Sequence, residues 1–430
     1  MSDDGSVVQK TELATTVTAG PSAPPVGDRQ ESKICVVLPS EEPYTQKGGA
    51  IATVTRNVTR AWTGQGLDVT VVASGGTTGA YQEGHVVWLP APTAPTGLLA
   101  RAWGAITDRA RAAEIRLAPW GGADSRRYRR AVHRTLSSLP VTPDVVIVHN
   151  DPLLARTARR AVPRARSVLW LHNQVDPRCR FPRRFFAAPG LVVAVSAYIA
   201  EWTERRYSLS PGQVRIVHNG VDLERFHPAD RAPGTAGPKP GPVRVVCHGR
   251  IDPNKGFHLA VDAVGRLRRE GRDVTLTVAG AVQVWHLSQA EATAYGDRLI
   301  ADLEAAGGTY LGRLDPSDVP ALLRQHDIAC VPSLAEEPFS LSALEAMASG
   351  CALVASRRGG LPEVAGDAGC LFDPDDPDGL VAALRPLVAD PRLLADRRRE
   401  ARIRSERFPW TATAEAVLRP DRVDHTGSGR

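Results

Sequence analysis

Short apolar runs alternate along the chain with segments of helical periodicity. A continuous apolar run of four to six residues, bounded by turn-forming residues, is typical of a buried strand in a parallel sheet. In the first half these runs are residues 34–38, 68–73, 86–89, 144–149, 167–171, 191–195 and 214–218. A helical segment over 50–64 lies between the first two runs. This alternation predicts a doubly wound α/β domain with a parallel sheet.

The pattern stops at residues 227–242, where proline and glycine recur and no periodicity is present. Such a composition predicts a linker. The alternation then starts again, which predicts a second doubly wound domain. Its predicted strands are 243–248, 274–278, 327–332, 351–355 and 369–372, and its predicted helices are 256–270, 288–306, 340–349, 377–389 and 391–406.

The two ends of the chain have a different character. Residues 1–32 are rich in Ser, Thr, Pro and Gly and predict a disordered leader, and 421–430 form a polar tail. We expect an N-terminal domain over 33–226 and a C-terminal domain from 243 onward. Ligands of open α/β sheets bind beyond the carboxyl ends of the strands, so two such domains predict a cleft lined by the residues that follow strands.

Composition excludes several classes of protein. The chain has 430 residues, of which 43% are apolar, and six cysteines without any C-x-x-C spacing. These values fit globular domains with reduced core thiols rather than a disulfide scaffold or a zinc site. Residues 1–32 lack the apolar core of a signal peptide, and no run approaches the ~18 apolar residues of a membrane span. We therefore expect a cytoplasmic protein.

The net charge is +6, and arginines cluster within 101–185, notably in 126–130 and 178–184. A basic face of this kind can meet a phosphate-rich acceptor or an anionic membrane, which would place the protein peripherally at the inner face of the membrane. An ordinary solvated surface is the alternative. No nucleic-acid-binding motif accompanies the charge, so no nucleic-acid partner is expected.

The segment Gly249–Gly256 follows the predicted strand 243–248 and precedes a helix. Arg250 and Lys255 flank this turn at the carboxyl edge of the sheet, and Lys255 is the only lysine after residue 239. Two cations on a tight turn suit a diphosphate, which needs charge neutralisation and fixed geometry.

A second segment carries two carboxylates eight residues apart, Glu337 and Glu345. Pro338 is expected near the start of a helix, whose first amide groups, at Phe339, Ser340 and Leu341, would favour an anion. Carboxylates accept hydrogen bonds from vicinal hydroxyls, which points to sugar or ribose binding. Spacing alone does not choose between Glu336 and Glu337.

Weaker signals lie elsewhere. Gly48–Gly49 follows the first strand and begins a helix, where a phosphate or sugar can approach the backbone. His149 and His172 each follow a strand and are either structural or functional. Gly359–Gly360, before Pro362 and Glu363, is interpreted as a flexible turn that allows close approach of the backbone. Residues 373–376, with an Asp-x-Asp pattern, are interpreted as a loop that caps the next helix rather than as a metal site.

Taken together, these motifs resemble the retaining family-4 glycosyltransferases, whose GT-B fold has two doubly wound Rossmann-like domains facing each other across a cleft. The resemblance covers roughly residues 33–418 and is most specific in the C-terminal half. It rests on Gly249-Arg250…Lys255-Gly256, Pro332-Ser333…Glu337-Pro-Phe…Leu344-Glu345, Gly359-Gly360…Pro362-Glu363, Val217-His-Asn-Gly-Val-Asp222 and Phe408-Pro-Trp410. It implies that the C-terminal domain spans 243–406 and that a helix in 407–420 crosses back to the N-terminal domain.

The resemblance implies roles for the residues of the C-terminal half. Arg250 and Lys255 would bind the donor diphosphate and stabilise the departing nucleotide. Glu337 would hold hydroxyls of the transferred sugar, and Glu345 those of the ribose. The backbone amides of Phe339, Ser340 and Leu341 would contact the phosphate or sugar.

Other implied contacts involve the base and the N-terminal half. Leu314, in the loop 311–314, would border the base. Gly49 would approach the diphosphate from the other domain, and His172 matches the histidine beside the donor sugar. Two departures are visible: Ser340 stands where the family usually has glycine, and Ala279-Gly280-Ala281 replaces a Gly-x-Gly. We expect an unusual base or sugar preference from them.

The implied function is transfer of a hexose from a nucleotide sugar, with UDP-sugars favoured over GDP-sugars, to a hydroxyl acceptor with retention of configuration. The acceptor would be an envelope glycan, a lipid-linked sugar or a small natural product. Neither a metal nor another cofactor is expected. The alternatives are a sugar-nucleotide epimerase or phosphorylase of the same fold, and a non-catalytic protein that binds nucleotide sugars.

Overall fold

The structure is a computed structural model that describes residues 33–40, 42, 44–45, 49–75, 84–89, 123–175, 183–186, 190–229, 241–284 and 287–419. The predicted leader and tail, and residues 230–240 of the predicted linker, lie outside the described residues. So does Cys179. Within the described ranges the chain is of the α/β class, with two parallel sheets.

The first sheet has seven strands in the order β3-β2-β1-β4-β5-β6-β7, and all neighbouring pairs are parallel. Its central strands are fully buried because helices cover both faces, which explains their uninterrupted Val, Ile and Leu content. The strands are β1 Lys33–Val37, β2 Asp68–Ser74, β3 His85–Leu89, β4 Val145–His149, β5 Arg166–Leu171, β6 Leu191–Ala194 and β7 Val214–Ile216.

The second sheet has six parallel strands in the order β10-β9-β8-β11-β12-β13. The strands are β8 Val243–His248, β9 Val274–Ala279, β10 Thr309–Tyr310, β11 Ile328–Val331, β12 Ala352–Ser356 and β13 Cys370–Phe372. In both sheets the order reverses beside the first strand, which creates the crevice where doubly wound folds bind ligands. Each predicted strand is present, with its ends shifted by no more than two residues.

Most of the described helices lie between successive strands, and three follow the last strand, β13. The helices are α1 Ala50–Gly64, α2 Ala123–Ser137, α3 Pro152–Ala161, α4 Arg183–Phe186, α5 Ala197–Tyr207, α6 Phe257–Arg269, α7 Gln289–Ala305, α8 Val319–Arg324, α9 Leu341–Ala348, α10 Leu361–Ala365, α11 Gly379–Ala389, α12 Pro391–Ser405 and α13 Trp410–Leu418. No helix in these ranges is both long and apolar enough to cross a membrane.

Several helices were not predicted although their start signals are present. Asp151 caps α3 by accepting hydrogen bonds from the N–H groups of Leu153 and Leu154, both at 2.9 Å. Ser196 caps α5 in the same way, through the N–H of Ile199. Side-chain caps of this kind satisfy the free N–H groups of a first helical turn.

The last helix, α13, packs against α1 of the first sheet. The indole Nε1 of the fully buried Trp62 donates to the carbonyl of Ala414 at 3.0 Å. Gly220 lies so close to Trp410 that a Cβ at this position would be 2.7 Å from its backbone. The end of the chain is thereby fixed to the N-terminal half.

The described cysteines are unpaired thiols, and four of the five are buried. Burial raises the pKa of Cys35 and of Cys351 to about 12, because the thiolate loses its hydration. These thiols belong to the core, as predicted from their apolar neighbours.

Candidate active site

The turn after β8 has a geometry that depends on glycine. Asp252 accepts a hydrogen bond from the N–H of Asn254 at 2.9 Å and begins a single 3₁₀ turn, Pro253–Lys255. Gly256 ends this turn with φ of 67°, and a Cβ there would lie 2.0 Å from the carbonyl oxygen of Pro332. The close approach fixes Lys255 next to the loop that follows β11.

Lys255 and Glu337 form a direct ion pair, with Nζ 2.5 Å from Oε1. The hydroxyl of Ser333 donates to the same oxygen at 2.6 Å. Glu337 is buried, whereas Glu336 is exposed and accepts the N–H of Gly359. The two register alternatives are therefore distinguished by position, and Glu337 is the carboxylate held beside the cation. Sequence reasoning gave Ser333 no role; its position directly after β11 was the available signal.

The first turn of α9 differs from the prediction. The helix begins at Leu341, three residues after Pro338, because Ser340 has φ of 87° and ψ of 88° and interrupts the helical backbone. The Oγ of Ser340 caps the helix by accepting the N–H of Ala343 at 3.3 Å. Within the described part of the chain, the N–H groups of Ser340 and Leu341 have no acceptor. They could therefore receive an anion, and Phe339 is buried beside them.

Glu345 lies one helical turn further along α9, opposite a residue that sequence reasoning missed. The Nε2 of His248, the last residue of β8, is 3.8 Å from Glu345 Oε2. That nitrogen is buried and makes no hydrogen bond to any described residue. A histidine immediately before the Gly249–Arg250 turn was the sequence signal.

Arg250 and Leu314 lie around the same edge of the sheet. The Nη2 atom of Arg250 is 3.9 Å from Oδ2 of Asp252. Leu314 packs partly buried against the core. Gly280 packs between the loops of Arg250 and Leu314. A Cβ on Gly280 would be 1.8 Å from the Gly249 carbonyl, and the Gly280 N–H donates to the Gly312 carbonyl at 2.7 Å.

In the first sheet, Gly49 is the exposed N-cap of α1. The carboxylate of Glu42 already accepts the N–H of Ala52 at 3.2 Å, as the positive end of a helix favours. A Cβ on Gly49 would lie 2.7 Å from that carboxylate. Gly48 lies outside the described residues.

His172 follows β5 and is buried against His149. His149 Nδ1 and His172 Nε2 are 2.7 Å apart. Burial lowers the pKa of His149 to about 3, and burial together with the neighbouring His149 lowers the pKa of His172 well below its ordinary value. Both rings are therefore neutral at physiological pH.

The Gly359–Gly360 segment is a turn that allows a close backbone approach, as predicted. Gly360 caps the short helix α10, and a Cβ on Gly359 would lie 2.1 Å from the carbonyl oxygen of Glu337. Tight packing at a φ of 56° therefore requires glycine at this position, directly against the Glu337 backbone.

Glu363, on α10, connects the two halves. Its carboxylate accepts the N–H groups of Ala197 and Tyr198, at 2.7 and 3.0 Å, which are the first amides of α5. It also lies 3.1 Å from His218 Nε2. Burial alone would raise the pKa of Glu363, but these hydrogen bonds outweigh it, so the pKa is lowered.

Two other predictions concern charged segments. Asp375 pairs with Arg358 at 2.6 Å, whereas the N-cap of α11 is Asp378, without a side-chain bond; the capping interpretation of residues 373–376 was wrong. The arginines at 126, 127 and 130 are exposed on α2, while much of 101–185 lies outside the described residues. Among those described, no group of three or more His, Cys, Asp or Glu side chains could hold a metal.

The structure thus brings Lys255, Glu337 and the start of α9 together, with Arg250, Glu345 and Leu314 on the same sheet edge. Gly49 and His172 lie at the corresponding edge of the other sheet. Within the described ranges, no hydrogen bond or ion pair links these two to the predicted residues of the second sheet.

Sequence profiles of two families match the chain. One, described as "Glycosyl transferases group 1", matches residues 242–390, and the other, "Glycosyltransferase Family 4", matches residues 48–225.

Curated relatives and solved structures agree with these matches. A glycogen synthase of Mycobacterium tuberculosis is 39% identical over 215 residues, 48% of each chain. A D-inositol 3-phosphate glycosyltransferase of Saccharomonospora viridis is 34% identical over 289 residues, 64% of each chain. The chain spans about half the length of the first of these relatives.

The Anabaena protein HepE, solved in complex with UDP and glucose, shares the fold, with a TM-score of 0.60 and 18% identity over 90% of this chain and 98% of its own. The two profiles together cover every strand described above except β1, and all the predicted site residues. The chain belongs to the family-4 glycosyltransferases of GT-B fold.

Proposed function

We propose that the protein transfers a hexose from a nucleotide sugar, preferentially a UDP-sugar, to a hydroxyl acceptor with retention of anomeric configuration. The observation that carries the proposal is the Lys255–Glu337 pair a few residues before α9, where the N–H groups of Ser340 and Leu341 have no acceptor among the described residues. One sheet edge thus offers a cation, a carboxylate and N–H donors within a single loop cluster. That combination suits a sugar diphosphate.

Departure of the nucleoside diphosphate develops negative charge on the leaving phosphate. Lys255, Arg250 and the amides of Ser340 and Leu341 are donors that stabilise this charge, and they are already ordered by the fold. Glu337 holds hydroxyls of the transferred sugar, and Glu345 holds those of the ribose. No protein nucleophile takes part, and the leaving phosphate assists deprotonation of the acceptor on the same face.

The proposal includes the partners and the surroundings of the enzyme. The donor is a nucleotide sugar and the acceptor a glycan, a lipid-linked sugar or a small molecule, with no metal and no other cofactor. The HepE structure holds UDP and glucose, which supports a UDP-sugar. The exposed arginines of α2 would bring the protein to an anionic membrane surface in the cytoplasm.

The test is release of nucleoside diphosphate from UDP-, GDP- and ADP-hexoses with a panel of hydroxyl acceptors. Glu337→Gln removes the charge that Lys255 faces and weakens the acceptor for the sugar hydroxyls, and we expect turnover to fall about 10²–10³-fold, the scale of one lost transition-state hydrogen bond. Glu336→Gln, which changes the exposed neighbouring carboxylate, is the matched control and should retain most activity. Nucleotide binding without turnover on any donor would favour a binding protein instead.

The stereochemical part has its own readout. The anomeric configuration of the product, measured by proton NMR before mutarotation, should match that of the donor. An inverted product would contradict the proposed mechanism while leaving sugar transfer intact.

A further inference from the structure

Three buried polar side chains form a hydrogen-bonded chain at the carboxyl edge of the first sheet. Thr55 Oγ1, on α1, is 3.3 Å from His149 Nε2. His149 Nδ1 is 2.7 Å from His172 Nε2. Thr55 and His149 are completely buried, and His172 is 5% exposed. The series runs from the interior of the N-terminal half towards its ligand-facing edge.

The surrounding residues hold both rings in place. Trp170 stacks on His149 with the ring centroids 5.3 Å apart, and its ring lies 5.1 Å from that of His172. Asn150, with φ of 53°, accepts the backbone N–H of His172 on its Oδ1 at 2.6 Å. With both rings and the backbone restrained, the two imidazoles are confined to this geometry.

The direction of the hydrogen bonds follows from donors and acceptors. A hydroxyl has one proton to donate, and leaving a buried donor unmet is costly. Among the described residues, the hydrogen-bond partner of the Thr55 hydroxyl is His149 Nε2. If Nε2 carried a proton, the hydroxyl proton of Thr55 would have no acceptor within the described ranges.

Thr55 therefore donates to His149 Nε2, and the proton of neutral His149 lies on Nδ1. His149 then donates to His172 Nε2. The proton of neutral His172 must consequently lie on Nδ1, the nitrogen that His149 does not engage. The lowered pKa of both histidines agrees with neutral rings.

We propose that Thr55 and His149 are positioning residues that hold His172 in its Nδ1–H tautomer, so that it presents a hydrogen-bond donor to an oxygen of the transferred sugar. This inference rests on the proposed function for the identity of the ligand. The hydrogen-bond chain itself belongs to the free protein. His149, a candidate that the sequence left undecided, thereby gains a role through His172.

The first test is the ¹⁵N NMR signature of the His172 ring in the whole protein, assigned by comparison with His172→Gln. We expect a protonated, pyrrole-type Nδ1 and an unprotonated, pyridine-type Nε2. The opposite pattern, or a doubly protonated ring at neutral pH, would overturn the proposal. The wild-type spectrum needs no substrate, so it remains decisive even if the proposed function fails.

The second test removes only the hydroxyl. Thr55→Val keeps the shape of the side chain, and Thr55→Ser keeps the donor. We expect the His172 ¹⁵N shifts to move towards a mixture of tautomers in Thr55→Val and to remain of wild-type pattern in Thr55→Ser. An unchanged spectrum in folded Thr55→Val would overturn the role of Thr55.

Kinetics give a third readout. Thr55→Val should lower kcat/KM for sugar transfer about 5-fold, the equivalent of one net hydrogen bond of about 1 kcal/mol. Affinity for the nucleoside diphosphate alone should stay unchanged, because this ligand lacks the sugar. Equal losses in both would indicate a general structural defect and contradict the proposal.

Discussion

Replacement of Ser340 by glycine should stabilise the protein, because a side chain now occupies a backbone conformation that suits glycine. Ser340 has φ of 87° and ψ of 88°. Holding a non-glycine residue in such a region costs about 1–3 kcal/mol. The greater backbone entropy of glycine in the unfolded chain offsets about 0.5–1 kcal/mol of the gain.

Loss of the cap is a smaller term. The Oγ of Ser340 accepts the N–H of Ala343 at 3.3 Å, a long hydrogen bond, and changing a serine cap to glycine costs only a few tenths of a kcal/mol. The net gain for Ser340→Gly is therefore about 1 kcal/mol in the free energy of unfolding. For a cooperative unit of 150–250 residues this corresponds to a rise in Tm of about 2–4 °C.

Ser340→Ala is the matched control, since alanine keeps the strained Cβ and loses the cap. It should lower the stability by about 1 kcal/mol. Thermal unfolding followed by circular dichroism compares the three proteins. A lower Tm in Ser340→Gly than in wild type, or no loss in Ser340→Ala, would refute the reasoning.

Three further predictions concern the supports of the site. Gly359→Ala should destabilise the protein by more than 2 kcal/mol, roughly the cost of a steric clash in a packed site, because its Cβ would lie 2.1 Å from the Glu337 carbonyl. Gly64→Ala is the control, since its Cβ would have open space. Chemical denaturation compares the stabilities of the two variants. Glu363 has a lowered folded pKa, so its contribution to stability is complete above its ordinary pKa of 4.5 and is lost as the pH falls through the folded value. The Tm difference between wild type and Glu363→Gln should therefore be largest near neutral pH and shrink on acidification; a difference independent of pH would contradict this. In a double-mutant cycle of unfolding free energies, Lys255→Met and Glu337→Gln should show a coupling free energy of about 0.5–3 kcal/mol. Additive effects of the two substitutions would contradict a direct ion pair.

The regular part of the fold could be predicted from sequence because buried parallel strands are short continuous apolar runs. The predicted strand ends therefore agree within two residues. The strand Thr309–Tyr310 was not predicted because two residues are too few to show a periodicity. The helix Ala123–Ser137 was not predicted because its arginine-rich sequence resembles a solvated surface segment.

The candidate site was predictable in its residue types but not in its contacts. Sequence spacing indicated a cation and a carboxylate; it could not show that Ser333 completes their pair or that His248 faces Glu345, because these depend on which strands are neighbours. The turn at Gly359–Gly360 was predicted, but the segment that it contacts was not. The constraint on that segment comes from the Glu337 backbone, which is distant in sequence.

The central claim is that the second sheet holds a nucleotide-sugar donor through Arg250, Lys255, Glu337 and Glu345. The most direct measurement is a thermal-shift panel of UDP, GDP, ADP and their sugars, with and without chelator, on wild type and Glu345→Ala. A ligand at 100 times its Kd adds about 2.7 kcal/mol to the stability. The proposed donor site predicts chelator-insensitive stabilisation by one nucleotide class, lost in Glu345→Ala. Absence of stabilisation by any nucleotide in the wild type would contradict it.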